Sequence, residues 1–480
     1  MLRTIPRLRP LSLLLALLLL TSLQGTIPGS ARAQGGAAPS TPLAGAGDPN
    51  SASAALQPMQ EAYGLLLQRY AVPLDPAQLV DAAQTAMDDA LSDAGIAAPP
   101  PGLGVLGDDP AQEWMALRQR FQALVAQYGD RVSPQTLAYA AIGGMADSVD
   151  DAHTHFITPD AYRDEQQWEQ GEVRYGGIGA RLESTEPMIV EVFPNSPAEQ
   201  AGLGPGDLIQ SVDGQSTSGW KVDEVVDHIR GPEGTPVVIG VQRVGSTQTE
   251  ELSLVRAQVS APFVESRRLA GDIGYVALRG FPEPSVVGKV EDAILQLQQQ
   301  GVHGIILDLR GNGGGRLDVG TRLLGDFVPA GPIYQTVDRQ GHTETGTVTD
   351  AHQLLTVPLA VLIDDGTASM GEIFAAAIQE HHVGTLIGTT TAGAVAASVF
   401  APLSDGSALQ LSIERVYSGD GALLDKVGVH PDQDVPADLT ALRAGHDVQL
   451  DRAVAYLQSQ AAGAGAPSSG LVQPSLDRAA

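Results

Sequence analysis

The chain has 480 residues, with 28 basic and 56 acidic side chains that give a formal net charge of −28. A chain of this length divides into two or three domains, because a single hydrophobic core stops growing at about 250–300 residues. The negative charge repels phosphate backbones and anionic lipid surfaces, so we expect no nucleic-acid partner. The chain has no cysteine, which excludes disulfides, thiolate metal sites and a cysteine nucleophile.

The amino terminus has the pattern of a secretory signal peptide. Basic residues precede the apolar run Leu11–Leu20, and the small residues Ala31 and Ala33 follow it. The apolar run is about half the ~20 residues that a membrane-spanning helix needs. We therefore predict a signal peptide over residues 1–33 and a secreted or periplasmic (cell-envelope) protein that has no stable membrane anchor after cleavage.

A flexible linker and a helical domain are predicted next. Residues 34–55 are mainly Gly, Ala, Ser and Pro, which bury little apolar surface. Residues 56–172 form a predicted helical amino-terminal domain, because apolar residues recur at helical spacing and capping side chains precede prolines. These pairs are Asp75-Pro76, Asp109-Pro110 and Ser133-Pro134.

Short β-type segments separated by glycine and proline follow in residues 173–258. Their ordered phrases are Tyr175-Gly176-Gly177-Ile178-Gly179, Asn195-Ser196-Pro197, Gly206-Asp207-Leu208-Ile209 and Val212-Asp213-Gly214. This series resembles a PDZ domain. The resemblance implies that an extended peptide adds to a sheet edge while backbone amides of Gly177, Ile178 and Gly179 hold its terminal carboxylate.

The pattern becomes α/β over residues 259–440. Buried strands are predicted at Ile273–Leu278, Gly304–Leu309 and Leu359–Ile363, and helices at Pro284–Gln300 and Met370–Glu380. This alternation predicts parallel strands joined by helical crossovers. Residues 441–480 are predicted to form a carboxy-terminal helix and a disordered tail.

Ser369 lies where a predicted strand passes into a helix, a place where unpaired amides converge. An isolated serine at a helix start is more often a cap than a nucleophile. However, the glycine-rich loop Asp308–Gly315 leaves the preceding strand, and its amides could receive a developing oxyanion. We therefore predict Ser369 as the nucleophile and the amides of Gly314 and Met370 as the oxyanion hole.

Ordered motifs over residues 137–432 resemble the carboxy-terminal processing (tail-specific) serine peptidase family. They are Ile273-Gly274-Tyr275-Val276, Asp308-Leu309-Arg310 with its glycines, Thr367-Ala368-Ser369 with Glu372-Ile373, and Gly428-Val429-His430-Pro431-Asp432. The resemblance implies a crotonase-like α/β catalytic core, cleavage of proteins near their carboxy termini and a PDZ domain that captures the substrate tail. Ser369 matches the family nucleophile.

The usual base of this family is missing. The commonest form has a lysine where this chain has Ala394, and a supporting glutamine where it has Ser398. Alanine cannot accept the serine proton, and an unassisted hydroxyl is a poor nucleophile near neutral pH. Of the chain's lysines, Lys221, Lys289 and Lys426, only the last is a conceivable base.

His153 is the predicted replacement, because imidazole titrates near neutrality and can act as base and then acid. The phrase Asp151-Ala152-His153-Thr154 resembles the Asp-Gly-His-Thr phrase of the tricorn-like and retinoid-binding-protein-like branches of the superfamily. The resemblance implies that this histidine pairs with Ser369 and that Asp425 is the third member of a triad. His155 is a rival base.

Two classes of function remain open from the sequence. The first is an exported serine endopeptidase that acts on protein or peptide substrates with free carboxy-terminal tails. The second, favoured by Ala394, is a pseudopeptidase that binds polypeptides through its PDZ domain without cutting them. A ligand-binding relative of the retinoid-binding branch is a weaker third interpretation. No ligand spacing indicates a metal, and we expect no cofactor.

Overall fold

The structure is a computed structural model that describes residues 51–96, 107, 109–169, 175–183, 186–259 and 262–464. The predicted signal peptide, residues 34–50 of the predicted linker and residues 465–480 of the predicted tail lie outside the described residues. Within the described ranges, no helix is long and apolar enough to cross a membrane.

Capping side chains begin the helices of the amino-terminal domain. Asp75, Asp109 and Ser133 each accept a hydrogen bond from a first-turn amide, as predicted. Ser51 caps the first helix in the same way, so this helix begins at Ala52, inside the predicted linker. The elements are α1 (Ala52–Arg69), α2 (Pro76–Asp93), α3 (Pro110–Tyr128), α4 (Pro134–Asp147), β1 (His155–Ile157) and α5 (Pro159–Glu169).

The next domain is a small β-rich fold with its own apolar core, which includes Ile178, Ile189 and Val225. Its elements are β2 (Tyr175–Gly177), β3 (Ala180–Leu182), β4 (Ile189–Val192), α6 (Pro197–Gln200), β5 (Leu208–Val212), β6 (Gln215–Ser216), α7 (Val222–Ile229), β7 (Pro236–Gln242), β8 (Thr249–Val255) and β9 (Ala257–Val259). One sheet has the order β6-β5-β7-β8, and β3–β4 and β2–β9 form separate pairs. The chain therefore enters and leaves this domain through adjacent strands, β2 and β9.

The third domain is built on a six-stranded sheet of order β10-β11-β12-β15-β16-β19, in which all pairs from β11 onward are parallel. Its first elements are β10 (Val264–Leu269), β11 (Ile273–Leu278), α8 (Ser285–Gln299), β12 (Gly304–Asp308), α9 (Leu317–Leu324), β13 (Gly331–Asp338), β14 (Thr343–Val348), β15 (Leu359–Ile363) and α10 (Met370–Glu380). The remaining elements are β16 (Gly384–Gly388), β17 (Ala396–Pro402), β18 (Ala408–Ser418), β19 (Gln433–Asp434), α11 (Leu439–Arg443) and α12 (Val448–Ala464). The predicted parallel strands and crossovers are confirmed.

The central strands of this sheet are buried along their whole length, which explains their continuous apolar sequences. Strands β12 and β15 are parallel neighbours, with Asp308 opposite Leu362. Their carboxyl ends therefore lie at the same edge of the sheet. The glycine-rich loop leaves one end, and the turn that carries Ser369 leaves the other.

A second sheet joins the amino-terminal domain to the catalytic domain. Its main path has the order β1-β18-β13-β14, and His155 of β1 lies opposite Gln410 of β18. Leu409 and Leu411 of β18 share one hydrophobic core with the amino-terminal helices. The segment that carries His153, just before β1, is thereby fixed to the catalytic domain.

Candidate active site

Ser369 occupies a sharp turn between β15 and α10. Its backbone has φ 53° and ψ −121°, a conformation that few residues other than glycine adopt. The residue is fully buried, and its Oγ lies on the Glu372 amide in a capping-box arrangement without making a well-formed hydrogen bond. A substrate can therefore reach this hydroxyl only after covering residues move.

The glycine-rich loop is held against this turn by Asn312. The side-chain amide of Asn312 donates to the Leu278 carbonyl at 2.8 Å, and its backbone carbonyl accepts from the Ala368 N–H at 2.9 Å. Its Oδ1 accepts from the Gly314 N–H at 2.8 Å. This last bond opposes the prediction that Gly314 supplies an oxyanion-hole amide, because that N–H already has an acceptor.

Met370, the other predicted oxyanion donor, is the first residue of α10. The first amides of an α-helix have no acceptor within the helix. The Met370 N–H therefore lies where a free donor is expected, one residue from the Ser369 hydroxyl.

Ala394 lies directly beside the predicted nucleophile. Its carbonyl accepts a hydrogen bond from the Ser369 N–H at 2.9 Å. Ser398, the position of the family glutamine, accepts instead from the Gln410 side chain at 3.0 Å. The position that carries the family lysine is thus adjacent to Ser369 and holds a side chain with no ionisable group.

Glu372 is a site residue that the sequence analysis quoted only as part of a motif. Its buried carboxylate accepts hydrogen bonds from the backbone amides of Ser369, Gly393 and Ala394 and from the Thr391 hydroxyl. Burial raises its pKa to about 7, although the four donors oppose this shift. The sequence signal that could have singled it out is a serine followed three residues later by glutamate at a helix start.

His153 is held by its neighbour Asp151. One Asp151 oxygen accepts from the backbone N–H of His153 at 2.9 Å, and the other accepts from the Thr154 hydroxyl at 2.8 Å. Thr154 Oγ1 in turn accepts from the Ser412 N–H of β18 at 3.1 Å. Burial lowers the pKa of His153, which favours the neutral imidazole that a general base requires.

The predicted triad is not joined by hydrogen bonds in this structure. Among the described residues, His153 Nδ1 and Ser369 Oγ are both buried and neither has a hydrogen-bond partner. His155 is close enough to His153 for the two imidazoles to interact electrostatically, and burial lowers its pKa as well. The roles of His153 and Asp425 therefore stay predictions.

Asp425 lies in electrostatic contact with the His153 segment. Burial, followed by the nearby Asp151 carboxylate, raises the pKa of Asp425 to about 6. The neighbouring Lys426 N–H donates to the Gly393 carbonyl at 2.6 Å, which ties this segment to the loop that contains Ala394. Asp425 is thus placed between the two regions that a triad would have to join.

Lys426 is a weak candidate for the base. Its ammonium group lies 2.7 Å from Asp150 Oδ2, and its side chain is 59% exposed. The hydrogen bond to Asp150 raises the pKa of Lys426 above its usual value, so the amine stays protonated near neutral pH. A protonated amine cannot accept the serine proton.

A dense charge cluster begins the glycine-rich loop. Asp308 accepts from the Tyr275 hydroxyl at 2.6 Å and from three nitrogens of Arg310. Burial alone would raise the pKa of Asp308, but the guanidinium groups of Arg310 and Arg279 hold it well below its usual range. The motif Asp308-Leu309-Arg310 is thus a structural anchor for the loop, a role that its residue order alone does not indicate.

The β-rich domain touches the same loop through Arg181 of β3. Its Nε donates to Glu191 at 2.8 Å, and a Cβ added at Gly311 would lie 3.5 Å from its Nη1. Gly179, in the predicted carboxylate loop, has φ +77°, and a Cβ there would lie 2.3 Å from Ser196 Cβ. Glycine is therefore required at that position.

Strand β3 offers an edge for strand addition. Among the described residues it pairs only with β4, so its other edge carries unpaired backbone groups. The carbonyls of Ile178 and Gly179 accept bonds from Ala198 and Phe193, which fixes the loop that precedes this strand. An extended peptide could pair with this edge in the manner of PDZ ligands.

The fold and this geometry define a serine-type peptidase with a peptide-binding domain. The sequence profile of Peptidase family S41 matches residues 272–435, and that of the PDZ domain matches residues 188–243. The chain is 32% identical over 341 residues to a carboxy-terminal-processing protease of Bartonella bacilliformis, covering 69% of this chain and 76% of that protein. The chain therefore belongs to the carboxy-terminal processing protease family.

Other relatives agree with this assignment. The carboxyl-terminal-processing protease of Synechocystis is 31% identical over 357 residues, covering 72% of this chain and 81% of that protein. A solved structure, a photosystem II D1 C-terminal processing protease, superposes with a TM-score of 0.52 at 24% identity, covering 84% of this chain and 97% of that one. This likeness supports the predicted fold, with its amino-terminal helices, PDZ domain and protease core.

Proposed function

We propose that this protein is an exported serine endopeptidase that cuts polypeptides near their carboxy termini, with Ser369 as the nucleophile. The observation that carries this proposal is the Ser369 turn: a strained backbone, a buried Oγ without a partner, and a glycine-rich loop on the adjacent strand end. Buried hydroxyls are normally hydrogen-bonded, and that of Ser412 is unpartnered as well, so the combination with the strained turn and the adjacent glycine-rich loop is what favours Ser369 as the reacting group.

Substrate capture is assigned to the PDZ domain. The open edge of β3 would pair with an extended substrate tail, and the loop Gly177–Gly179 would hold its terminal carboxylate. Curated relatives named for carboxy-terminal processing support this class of substrate. Arg181, on the same strand, lies close to the glycine-rich loop, so the binding edge and the catalytic loop are neighbours.

The chemistry proposed is acyl transfer to serine. Ser369 Oγ attacks the peptide carbonyl while His153 takes its proton, and the Met370 amide binds the oxyanion. The C–N bond then breaks, the leaving amine receives the proton from His153, and water releases the acyl group by the same steps. Asp425 would stabilise the imidazolium. Both groups are buried and neither has a hydrogen-bond partner in this structure. We therefore assign to substrate binding the movement that brings the His153 imidazole to the Ser369 hydroxyl.

The signal-peptide pattern of residues 1–33 supports a site of action outside the cytoplasm. Expression with and without these residues, followed by fractionation of the cells, tests this part of the proposal. Recovery of the intact chain in the cytoplasm would contradict it.

The decisive experiment combines cleavage and labelling. Wild type and S369A are incubated with an unstructured protein that has a free carboxy terminus, and with a serine-directed fluorophosphonate in the presence of that substrate. We expect cleavage and labelling in wild type and neither in S369A. Cleavage that survives in S369A would exclude Ser369 as the nucleophile.

Ala394 favours one other function, a pseudopeptidase that binds tails without cutting. The variant A394K separates the two, because a lysine at this position lies beside Ser369 and could act as the base. If the wild type is active, H153A removes its base. Adding A394K to H153A should then restore part of the activity. A wild type that binds the substrate without cutting it, together with an active A394K, would establish the pseudopeptidase.

A further inference from the structure

The carboxylate of Glu372 has all of its acceptor positions filled. Oε1 accepts from the Thr391 hydroxyl at 2.5 Å and from the Gly393 N–H at 2.9 Å. Oε2 accepts from the Ser369 N–H at 3.1 Å and from the Ala394 N–H at 2.9 Å. Four converging donors fit an ionised carboxylate, because a protonated carboxyl would need an acceptor of its own.

This one side chain connects three segments that are distant in the sequence. It joins the start of α10 to the loop 391–394, and Thr391 extends the connection because its Oγ1 also accepts from the Val429 N–H at 2.7 Å. The segment that ends at Val429 includes Asp425. The nucleophile, the position of the missing lysine and the third predicted triad member are therefore fixed relative to one another through Glu372.

The contact with Ser369 is one half of a capping box, in which a glutamate in the first turn of a helix accepts from the amide of the capping residue. The Ser369 amide lies 3.1 Å from Glu372 Oε2 and also donates to the Ala394 carbonyl at 2.9 Å. Ser369 Oγ lies on the Glu372 amide in this box without making a well-formed hydrogen bond. Glu372 therefore holds the Ser369 backbone, while the hydroxyl itself is only weakly engaged.

We propose that Glu372 is a positioning residue for the nucleophile: its buried carboxylate holds the strained Ser369 turn against the loop 391–394. This proposal rests on the proposed function, in which Ser369 attacks the substrate. Glu372 itself does not touch the reacting atoms.

The ordinary role of an acidic residue in the first turn, a favourable interaction with the helix dipole, does not account for these features. Such a carboxylate gains about 0.3–1 kcal/mol at an exposed position. Glu372 is fully buried, and no lysine or arginine of the described residues forms an ion pair with it. Burial raises its pKa to about 7, so the anion is costly where it lies, as is common for groups retained at functional sites.

The test compares E372Q with E380Q. Glutamine at 372 keeps the size of the side chain but turns two acceptor positions into donors that face N–H groups. Glu380 lies at the other end of the same helix and accepts a bond from the Asp420 amide at 3.3 Å, which makes E380Q a matched control. We expect E372Q to lower kcat and the rate of fluorophosphonate labelling about 10²-fold, the scale of a small misplacement of a reacting group. KM and the affinity for a PDZ-bound peptide should not change, and E380Q should resemble wild type.

Labelling of E372Q at the wild-type rate would overturn the proposal, while the absence of labelling in S369A would leave the proposed function intact. A wild type that is neither labelled nor active would overturn both. If E372Q does not fold, T391V provides the second test, because it leaves the carboxylate and removes one of its donors, together with the acceptor of the Val429 N–H. We expect T391V to fold and to be labelled several-fold more slowly with KM unchanged, and a wild-type rate would overturn the proposal.

Discussion

Two buried polar regions lie at the same edge of the catalytic sheet and differ in how their groups are paired. At the end of β12, both oxygens of Asp308 are filled by Tyr275 and Arg310. At the end of the neighbouring β15, the Ser369 hydroxyl has no well-formed hydrogen bond, and Nδ1 of the predicted base, His153, is likewise buried without a partner. In the first region the carboxylate is fully paired, although Nε of the adjacent Arg279 is not, whereas in the second region the hydroxyl itself lacks a partner.

The difference separates structural groups from groups reserved for a reaction. A buried polar atom left without a partner costs about 1–3 kcal/mol, so folding alone would not retain it. A fully paired carboxylate, by contrast, holds a loop in place and has no acceptor capacity left for a substrate. We expect variants in the first region to reduce stability and variants in the second to reduce chemistry, and the following predictions test this division.

Apart from the complete loss of activity expected of S369A, the largest effect is expected at His153. H153A should lower kcat/KM about 10²–10⁴-fold, the range that a positioned general base contributes, with little loss of stability. H155A, which removes the rival imidazole, should have a smaller effect. Steady-state cleavage of the same substrate measures both, and the reverse order of effects would transfer the role of base to His155.

Asp308 should dominate stability. D308N leaves Arg310 and Arg279 buried beside a neutral amide, and breaking a buried pair in this way costs about 3–5 kcal/mol in the free energy of unfolding. D318N is the control, because Asp318 is exposed and its pair with the half-buried Arg316 is worth at most about 1 kcal/mol. Urea unfolding measures both values, and equal losses would refute the anchoring role of Asp308.

S369A should make the protein slightly more stable while it abolishes activity. The substitution removes a buried hydroxyl that has no partner, which should raise the free energy of unfolding by about 1 kcal/mol. Both residues have a Cβ, so the strain of the positive φ is the same in the two proteins. A loss of stability in urea unfolding would mean that the hydroxyl has a structural partner after all.

The smallest effect concerns pH. Burial lowers the pKa of His153 in the folded protein below its ordinary value of 6.5, so the unfolded chain binds this proton first as the pH falls. Stability should therefore decrease below pH 6.5, by up to about 1.4 kcal/mol per pH unit for this one group. Unfolding of wild type and H153A at pH 5.5 and 7.5 measures the effect, and an identical pH dependence would show that His153 is not buried as a neutral group.

The fold could be predicted from sequence wherever local patterns decide it. The strands Ile273–Leu278 and Leu359–Ile363 have the predicted bounds, because a strand covered on both faces is apolar throughout. The capping residues Asp75 and Asp109 also act as predicted. The predicted linker extends to residue 55, past the start of the first helix at Ala52. Ser51 alone is a weak capping signal in a stretch rich in Ala and Ser.

The site could be predicted only in part. Ser369 and Ala394 follow from motif order, and the structure places them side by side. The Gly314 N–H donates to Asn312 and is therefore not free to bind an oxyanion. This bond depends on the exact path of the loop, which no sequence pattern specifies. Three of the four contacts of Glu372 could not be predicted either, because they join residues 19 to 22 positions apart through a loop of irregular structure.

The pairing of β1 with β18 has a consequence for biosynthesis. His155 and its partner Gln410 are separated by about half of the chain, so the strand that fixes the imidazole segment can dock only after residue 410 has been made. A nascent or partly folded chain therefore lacks a complete reactive centre. The topology therefore delays completion of the reactive centre. The centre forms late, when the protein that carries it is already folded and is less exposed to cleavage by other copies of itself.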